Sequence, residues 1–558
     1  MCKSTLTFLL VSVSQMSSTT YVANLATEWA SGDRSQKVEW SYGTAGNAAY
    51  HQFARQLQAA FSEQGDQAEW GDWYYAASSS DSLTHKSGAD NDVRSQFANT
   101  GALDDSADSE YRAINDRYPV FGFSDNLGGV GNSSKSSVFT IFHAQAEAAQ
   151  FNTKSGLKGV PSYWREQHSK NEDALNFFHN DFKDIHDKSV ELDAQVSNDA
   201  KRVGGQDYVT ILSLAARQAW AATQVAGTST DPYIFMKEIS SNGNMNTVDV
   251  IYPSSPLLLY FNPSWLKLLL DPVYIVMENG LWPEEFSIHD IGFHYPNATG
   301  HAYEETQEMP VEESGNMLIL SLAYAQKTGD TAYLTQHYDL LRQWTEYLVS
   351  NTLIPASQQS TDDFAGALAN QTNLALKGII AIRAMSAIAN LTDHPADSSN
   401  YSSTAASYIA QWQDLGINRD ANPPHTTLSY NNASSHGLLY NLYADALLGT
   451  DLVPREVCEM QSAFYPTIAE AFGVPLDTRH TWGKNDWEMW SAAVTSESTK
   501  TEMLARLARW IGETSTNSPV TDLYDAVTGG YGAVPFKARP VVGGWFALLA
   551  IDKTGIPA

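Results

Sequence analysis

Two hydrophobic patterns divide the chain. Up to about residue 165 the apolar runs are short and rich in β-branched and aromatic residues. Those at 5–13, 20–27, 70–76, 118–123 and 137–144 predict strands. Between them lie clusters of Gly, Asp, Asn and Ser such as SSSDS and NLGGVGNSS, which read as turns. Short strands with turn signals between them predict an antiparallel β-sandwich over residues 1–165. From 166 to 558 helical patterning takes over. Runs at 171–197, 206–225, 317–327, 331–349, 372–389, 399–414, 435–448, 456–472, 487–494, 500–514 and 544–551 predict helices. They recur in pairs, the turn Thr328-Gly329-Asp330 joining one pair, and the longest polar insertions fall between pairs. Helical hairpins must bury a shared apolar face, and a closed ring of them does so. The expected second domain is an (α/α)6 toroid of six hairpins, with the polar loops gathered at one mouth.

The first residues, MCKSTLTFLLVSVSQ, carry a Lys and a short apolar run, as a secretion signal does. Thr and Ser interrupt that run, however, and no small-x-small cleavage site follows. The pattern continues through TTYVANLATEWASG as a second strand, so a β-hairpin is expected here. The domain opens abruptly on a strand, which leads to the expectation that part of it lies upstream.

Composition narrows the function classes. The 558 residues carry 63 acids against 34 bases, a net charge of -29. No Lys/Arg cluster appears, which argues against nucleic acid as a partner. No run of about 18 apolar residues exists, so no transmembrane helix and no membrane partner are expected. The two cysteines, Cys2 and Cys458, make neither a disulfide scaffold nor a cysteine zinc site. Sequons at Asn132, Asn297, Asn370, Asn390, Asn400 and Asn432 are compatible with secretion.

Polar chemistry concentrates in two stretches, 287–315 (SIHDIGFHYPNATGHAYEETQEMPVEESG) and 359–377 (QSTDDFAGALANQTNLALK). Each directly precedes a helix-patterned run, so its side chains sit on loops at helix N-termini. No Gly-x-Ser-x-Gly elbow, no well-placed Ser-x-x-Lys and no His-Glu-x-x-His occurs. His289, Asp290 and His294 are close in sequence but read equally well as loop packing, and no metal or other cofactor is expected. Carboxylates are the stronger signal. Asp362-Asp363 precedes a helix, where one Asp can cap and the other is free for chemistry. Glu312-Glu313 invites the same two readings. Asp486-Trp487-Glu488 sets an acid on each side of an indole, whose desolvation would raise a carboxyl pKa.

At these loops the sequence resembles the fungal secreted glutaminase A family. The runs that carry the resemblance are KEISSNGNMNTVDVIYPSSP (237–256), SIHDIGFHYPNATGH (287–301), MPVEESGNMLIL (309–320), STDDFAGALANQTNLALKG (360–378) and KNDWEMWSA (484–492). The resemblance covers nearly the whole chain. It implies an N-terminal β-sandwich, a six-hairpin domain related to glycosidase toroids, an extracellular location, and hydrolysis of L-glutamine to L-glutamate and ammonia.

Amide hydrolysis needs an activated water, an acid for the leaving ammonia and donors for the oxyanion. Separated loop acids on a toroid are also the layout of an inverting glycosidase. The expected pair is Glu488 as base for water and Asp363 as acid for ammonia, with Asp362 and Glu313 as further catalytic candidates. For the substrate, Lys237, Lys377 or Arg539 would pair with the α-carboxylate and Glu238 or Glu312 with the α-ammonium. Asn370, Asn373 and the backbone around Gly315 would supply amide donors. His289, Asp290, Asp486 and Trp487 complete the expected binding set. Two other classes stay open from the residues alone: a glycoside hydrolase, and an inactive carbohydrate- or cell-wall-binding protein.

Overall fold

The computed structural model describes residues 6–14, 19–130, 132, 134–239, 241–301 and 307–551. Cys2 and the first residues of the signal-like run lie outside them. The N-terminal domain stacks two antiparallel sheets. Its strands are β1 (Leu6–Ser14), β2 (Thr19–Ala26), β3 (Lys37–Ala45), β4 (Ala48–Arg55), β5 (Asp72–Ser78), β6 (Leu83–Ala89), β7 (Arg112–Ala113), β8 (Pro119–Gly128) and β9 (Ser134–Ala144). One sheet runs β1-β9-β5-β4-β3-β7 and the other β2-β8-β6. Strand alternation sets the core: Val38 and Trp40 of β3 point inward while Lys37, Glu39 and Ser41 face water. Phe53, Tyr75 and Phe139 of the larger sheet meet Leu25, Phe121 and Phe123 of the smaller one. The larger sheet's other face is covered by the helix Asn171–Asn180, through Leu175 and Phe178 against Tyr74, Ala76 and Phe142.

The expected N-terminal hairpin is not formed. β1 pairs with β9, Leu6 opposite Phe142, and β2 pairs with β8 in the other sheet. Two adjacent β-rich runs fit two packed sheets as well as one hairpin, and their sequence does not distinguish these.

The helices build the expected ring. They are α1 (Phe182–Ala221, kinked at Gly205), α2 (Val248–Phe261), α3 (Ser264–Glu278), α4 (Pro310–Thr328), α5 (Tyr338–Asn351), α6 (Thr372–Leu391), α7 (Pro395–Gly416), α8 (Leu442–Leu448), α9 (Arg455–Ile468), α10 (Asn485–Ala492) and α11 (Glu497–Glu513). A tight 3-10 segment, Pro540–Phe546, runs on into α12 (Ala547–Ile551). The inner wall is α2, α4, α6, α8, α10 and the 540–551 segment. These are buried nearly all round, their polar residues included: every residue from Val311 to Ala325 is buried. The outer helices α3, α5, α7, α9, α11 and α1 keep a polar face. α6 is long and apolar enough to cross a membrane, but it is an inner-wall helix buried by its neighbours. The ring closes where the last inner segment packs between α2 and α1. A Cβ on Gly544 would lie 2.7 Å from Pro253 O, so only glycine permits this approach. Tyr208 Oη of α1 donates to Trp545 O at 2.7 Å.

Sequence patterning left α2 and α3 unread. Pro253, Pro256 and Pro272 lie inside them, and proline ordinarily argues against a helix interior. The predicted helix at 435–448 shrinks to α8, because 435–441 run as a loop bridged to the chain at 476–477.

Candidate active site

Each inner segment begins at the same mouth of the ring, so first-turn side chains converge there. Asp249 sits in the first turn of α2, Glu312 and Glu313 in that of α4, Asp486 in that of α10, and Arg539 immediately before the 540–551 segment. The 287–301 stretch is laced to the segment leading into α2: Val248 N donates to His289 O at 2.8 Å and Met245 N to Gly292 O at 2.9 Å. These bonds bring His289 beside Asp249.

The floor of this basin is a chain of acids and imidazoles. His289 Nδ1 bonds Asp290 Oδ2 at 2.8 Å, and its Nε2 faces Asp249 Oδ1 at 3.6 Å. Asp290 is fixed from three sides: by Asn244 Nδ2 at 3.0 Å, Gly292 N at 2.9 Å and His301 Nε2 at 2.5 Å. Burial would raise the Asp290 pKa, but the bonds from His289 and His301 hold it below the ordinary carboxylate value. Burial alone would lower His289; Asp290, Asp249 and Glu313 outweigh it and hold the imidazole well above its usual pKa. Glu313 is fully buried beside them and pushed well above the ordinary range, by burial first and then by Asp249.

Helical angles separate Glu312 from Glu313 by about 100°. Glu312 turns to Lys377, whose ammonium it pairs with in full burial. Lys377 also donates to Asn316 Oδ1 at 2.9 Å and lies 4.2 Å from the Tyr252 ring centroid. Both charges are therefore committed to each other, and neither matches the expected contact with a substrate carboxylate or ammonium. Gly315 is no donor of free amides either; it lies inside α4, where its missing side chain lets the Lys377 stem pass.

Arg539 meets Glu238 at 3.6 Å and Asp522 at 3.4 Å. Glu238 Oε2 accepts from Thr247 at 2.9 Å. Lys237, by contrast, points across the domain boundary to Glu63 at 2.8 Å, so it ties the sandwich to the ring. Asp362 and Asp363 separate too. Asp362 is buried, accepts from Tyr440 Oη at 2.8 Å, and is pushed up to about 7 chiefly by burial. Asp363 is half-buried and takes Gln307 Nε2 at 3.1 Å. Asn373 stays near them, its Oδ1 accepting from Asn441 N at 3.3 Å. Asn370 instead occupies a left-handed turn (φ 55°), bonded through its backbone to Pro355 and Tyr430.

Glu488 is not brought to Asp363. Two residues apart on a helix, Asp486 and Glu488 face nearly opposite ways. Asp486 takes both of its oxygens to Lys484 at 2.8 Å, and Lys484 also meets Asp522 at 2.9 Å, all buried. Glu488 turns away, to Tyr524 Oη at 2.5 Å and Val474 N at 3.1 Å. Its carboxyl is raised to about 8, chiefly by burial. Trp487 is itself wholly buried, stacked on Tyr440 at 4.1 Å, and has no face for a substrate. Cys458 is a free thiol on outer helix α9, raised by burial to about 11, which removes it from nucleophilic roles.

Sequence reading missed Asp249, Asn244, His301, Asn316 and Tyr440. Asp249 lies in the 237–256 run, and a helix prediction there would have placed it in a first turn.

Family models match both parts of the chain. The model of the glutaminase A six helical-hairpin domain matches residues 205–549, and that of a domain of unknown function matches residues 5–199. Glutaminase A of Aspergillus oryzae is 55% identical over 95% of this chain and 77% of its own length. A probable glutaminase of Arthroderma benhamiae is 36% identical over 94% of this chain and 72% of its own. Among solved structures, a bacterial glucoamylase complexed with acarbose aligns with a TM-score of 0.47 at 8% identity, covering 98% of this chain and 88% of its own. A rhamnosidase from Klebsiella oxytoca with rhamnose bound gives 0.46 at 8%, over 96% and 88%. The length of the six-hairpin match, together with the identity to the Aspergillus protein, places this chain in the glutaminase A family.

Proposed function

We propose that the chain hydrolyses the side-chain amide of L-glutamine, giving L-glutamate and ammonia, in the basin at the mouth of the ring. The observation that carries this reading is the 55% identity, over 95% of the chain, to a protein named glutaminase A. The basin suits such a substrate. Glutamine carries an α-carboxylate and an α-ammonium a few ångströms apart, and Arg539 and Glu238 offer the opposite pair of charges 3.6 Å apart. Asp363 is the more exposed carboxylate at the mouth and takes the proton of the attacking water. Asp362, with a pKa near 7 and an Oδ1 that has no partner among the described residues, returns a proton to the departing ammonia. An extracellular working place is part of the same proposal. The sequon residues Asn132, Asn390, Asn400 and Asn432 are exposed, whereas Asn297 bonds Phe61 O inside the domain contact.

The test is ammonia release from L-glutamine beside reducing-sugar release from a panel of glycosides. Ammonia alone is expected. Asp362→Asn and Asp363→Asn should each lower the rate by at least about 100-fold with an unchanged melting temperature. Full activity in both variants, or sugar release without ammonia, would overturn the proposal.

A further inference from the structure

We propose that Asp249, His289 and Glu313 form a binding site for one divalent transition-metal cation, of the zinc or manganese kind, on the floor of the basin. The site rests on its own geometry and goes beyond the glutaminase reading, whichever substrate the basin takes.

Three features carry it. First, the three side chains come from separate segments, yet each offers a ligand atom within 4.8 Å of the other two, and all are buried. The 3.6 Å between Asp249 Oδ1 and His289 Nε2 is too long for a hydrogen bond. It is the separation of two ligands that each lie about 2.1 Å from one ion and subtend about 120° there. Second, Glu313 is wholly buried, and its Oε1 has no hydrogen-bond partner among the described residues. A buried carboxylate oxygen left without a donor costs free energy unless a cation sits beside it. Its other oxygen is held by Asn316 Nδ2 at 3.0 Å, which fixes the carboxylate in place.

Third, the surroundings are those of a metal site. Metal-ligating histidines characteristically donate the other ring nitrogen to a carboxylate, which sets the tautomer and ring orientation. His289 Nδ1 meets Asp290 in this way, and Asp290 is locked by Asn244, Gly292 N and His301. That leaves Nε2 facing Asp249. The neighbouring Glu312 is already matched by Lys377. Asp249 and Glu313 thus supply two charges against a divalent ion. One imidazole and two carboxylates form a mixed nitrogen–oxygen set suited to zinc or manganese, whereas calcium asks for six to eight oxygens. Three protein ligands are one short of the four that fill a closed zinc site, so a water or a substrate oxygen would complete the set.

The experiment uses the full chain stripped with a chelator and titrated calorimetrically with zinc, manganese and calcium chlorides. The expected result is one tight site per chain for zinc or manganese, and weaker calcium binding. Glu313→Gln and Asp249→Asn should each weaken binding at least tenfold and abolish the metal-induced rise in melting temperature. Asp290→Asn, which touches no ion, should weaken binding about 10- to 100-fold through His289. His85→Ala, in the sandwich, should leave binding unchanged. If Glu313→Gln does not fold, Asp249→Asn and Asp290→Asn still decide the matter. Absence of a stoichiometric site, or an affinity in Asp249→Asn and Asp290→Asn as high as the parent's, would overturn the proposal. Because binding is read by heat and melting, a failure to release ammonia bears on the glutaminase reading alone.

Discussion

Replacing Glu488 by Gln separates structure from catalysis. The carboxyl lies 1% exposed among Gly473, Gly483, Tyr524 and Val474, and its pKa is raised to about 8 from an ordinary 4.5. The folded state therefore holds this proton more tightly than the unfolded chain. A raised pKa contributes stability that is complete below about 4.5 and is lost as pH climbs through 8. Each unit is worth about 1.4 kcal/mol, so the loss between pH 5.5 and pH 8 comes to roughly 3 kcal/mol. Gln mimics the protonated acid. Its carbonyl can accept from Val474 N, while its amide donates to Tyr524 Oη, which passes its own proton to Phe472 O at 3.0 Å. The variant should fold, and its stability should lack this pH-dependent component. Urea unfolding at pH 5.5 and pH 8 checks it. The gap between variant and parent should move in the variant's favour by about 3 kcal/mol on going to pH 8. At pH 6, ammonia release should stay within about threefold of the parent, since the side chain faces away from the basin. Parallel stability profiles would refute the buried-proton argument, and loss of activity in a folded variant would return Glu488 to the chemistry.

Lys377→Met should cost about 3–5 kcal/mol, because it strands Glu312 in full burial. Adding Glu312→Gln should recover most of that loss in thermal unfolding, and no recovery would mean the pair is not the cause. Arg539→Lys keeps the charge but loses the fork geometry, so KM for glutamine should rise about tenfold with a smaller change in kcat.

How much of this was legible in sequence depended on angular bookkeeping along helices. The toroid was visible because its outer helices are amphipathic and its hairpin turns carry Gly and Asp, as at Gly329-Asp330. α2 and α3 were hidden by their prolines, which the enclosing ring tolerates. The polar stretches 287–301 and 360–363 do line the mouth. Asp486 and Glu488 flank one indole in the sequence, but a helix sends them to opposite sides. Glu312 and Glu313 diverge for the same reason. The pairing of Lys377 with Glu312 is created only by the packing of α4 on α6, which no local spacing reveals. Asp249, His289 and Glu313 meet only in three dimensions, so no spacing rule could find them.

The closure of the ring also dictates an order of events. Tyr208 and Trp545 bond across 337 residues of chain. During synthesis α1 emerges long before its inner-wall partner, which follows 337 residues later. Until 540–551 arrives, α2 exposes the groove that receives Gly543 and Gly544, and the mouth lacks Arg539. The site is therefore assembled last, long after the sandwich can fold. Contacts this distant in sequence fold slowly. A nascent or clipped chain lacking that segment is a ring with a gap, its apolar inner wall open to chaperones and proteases.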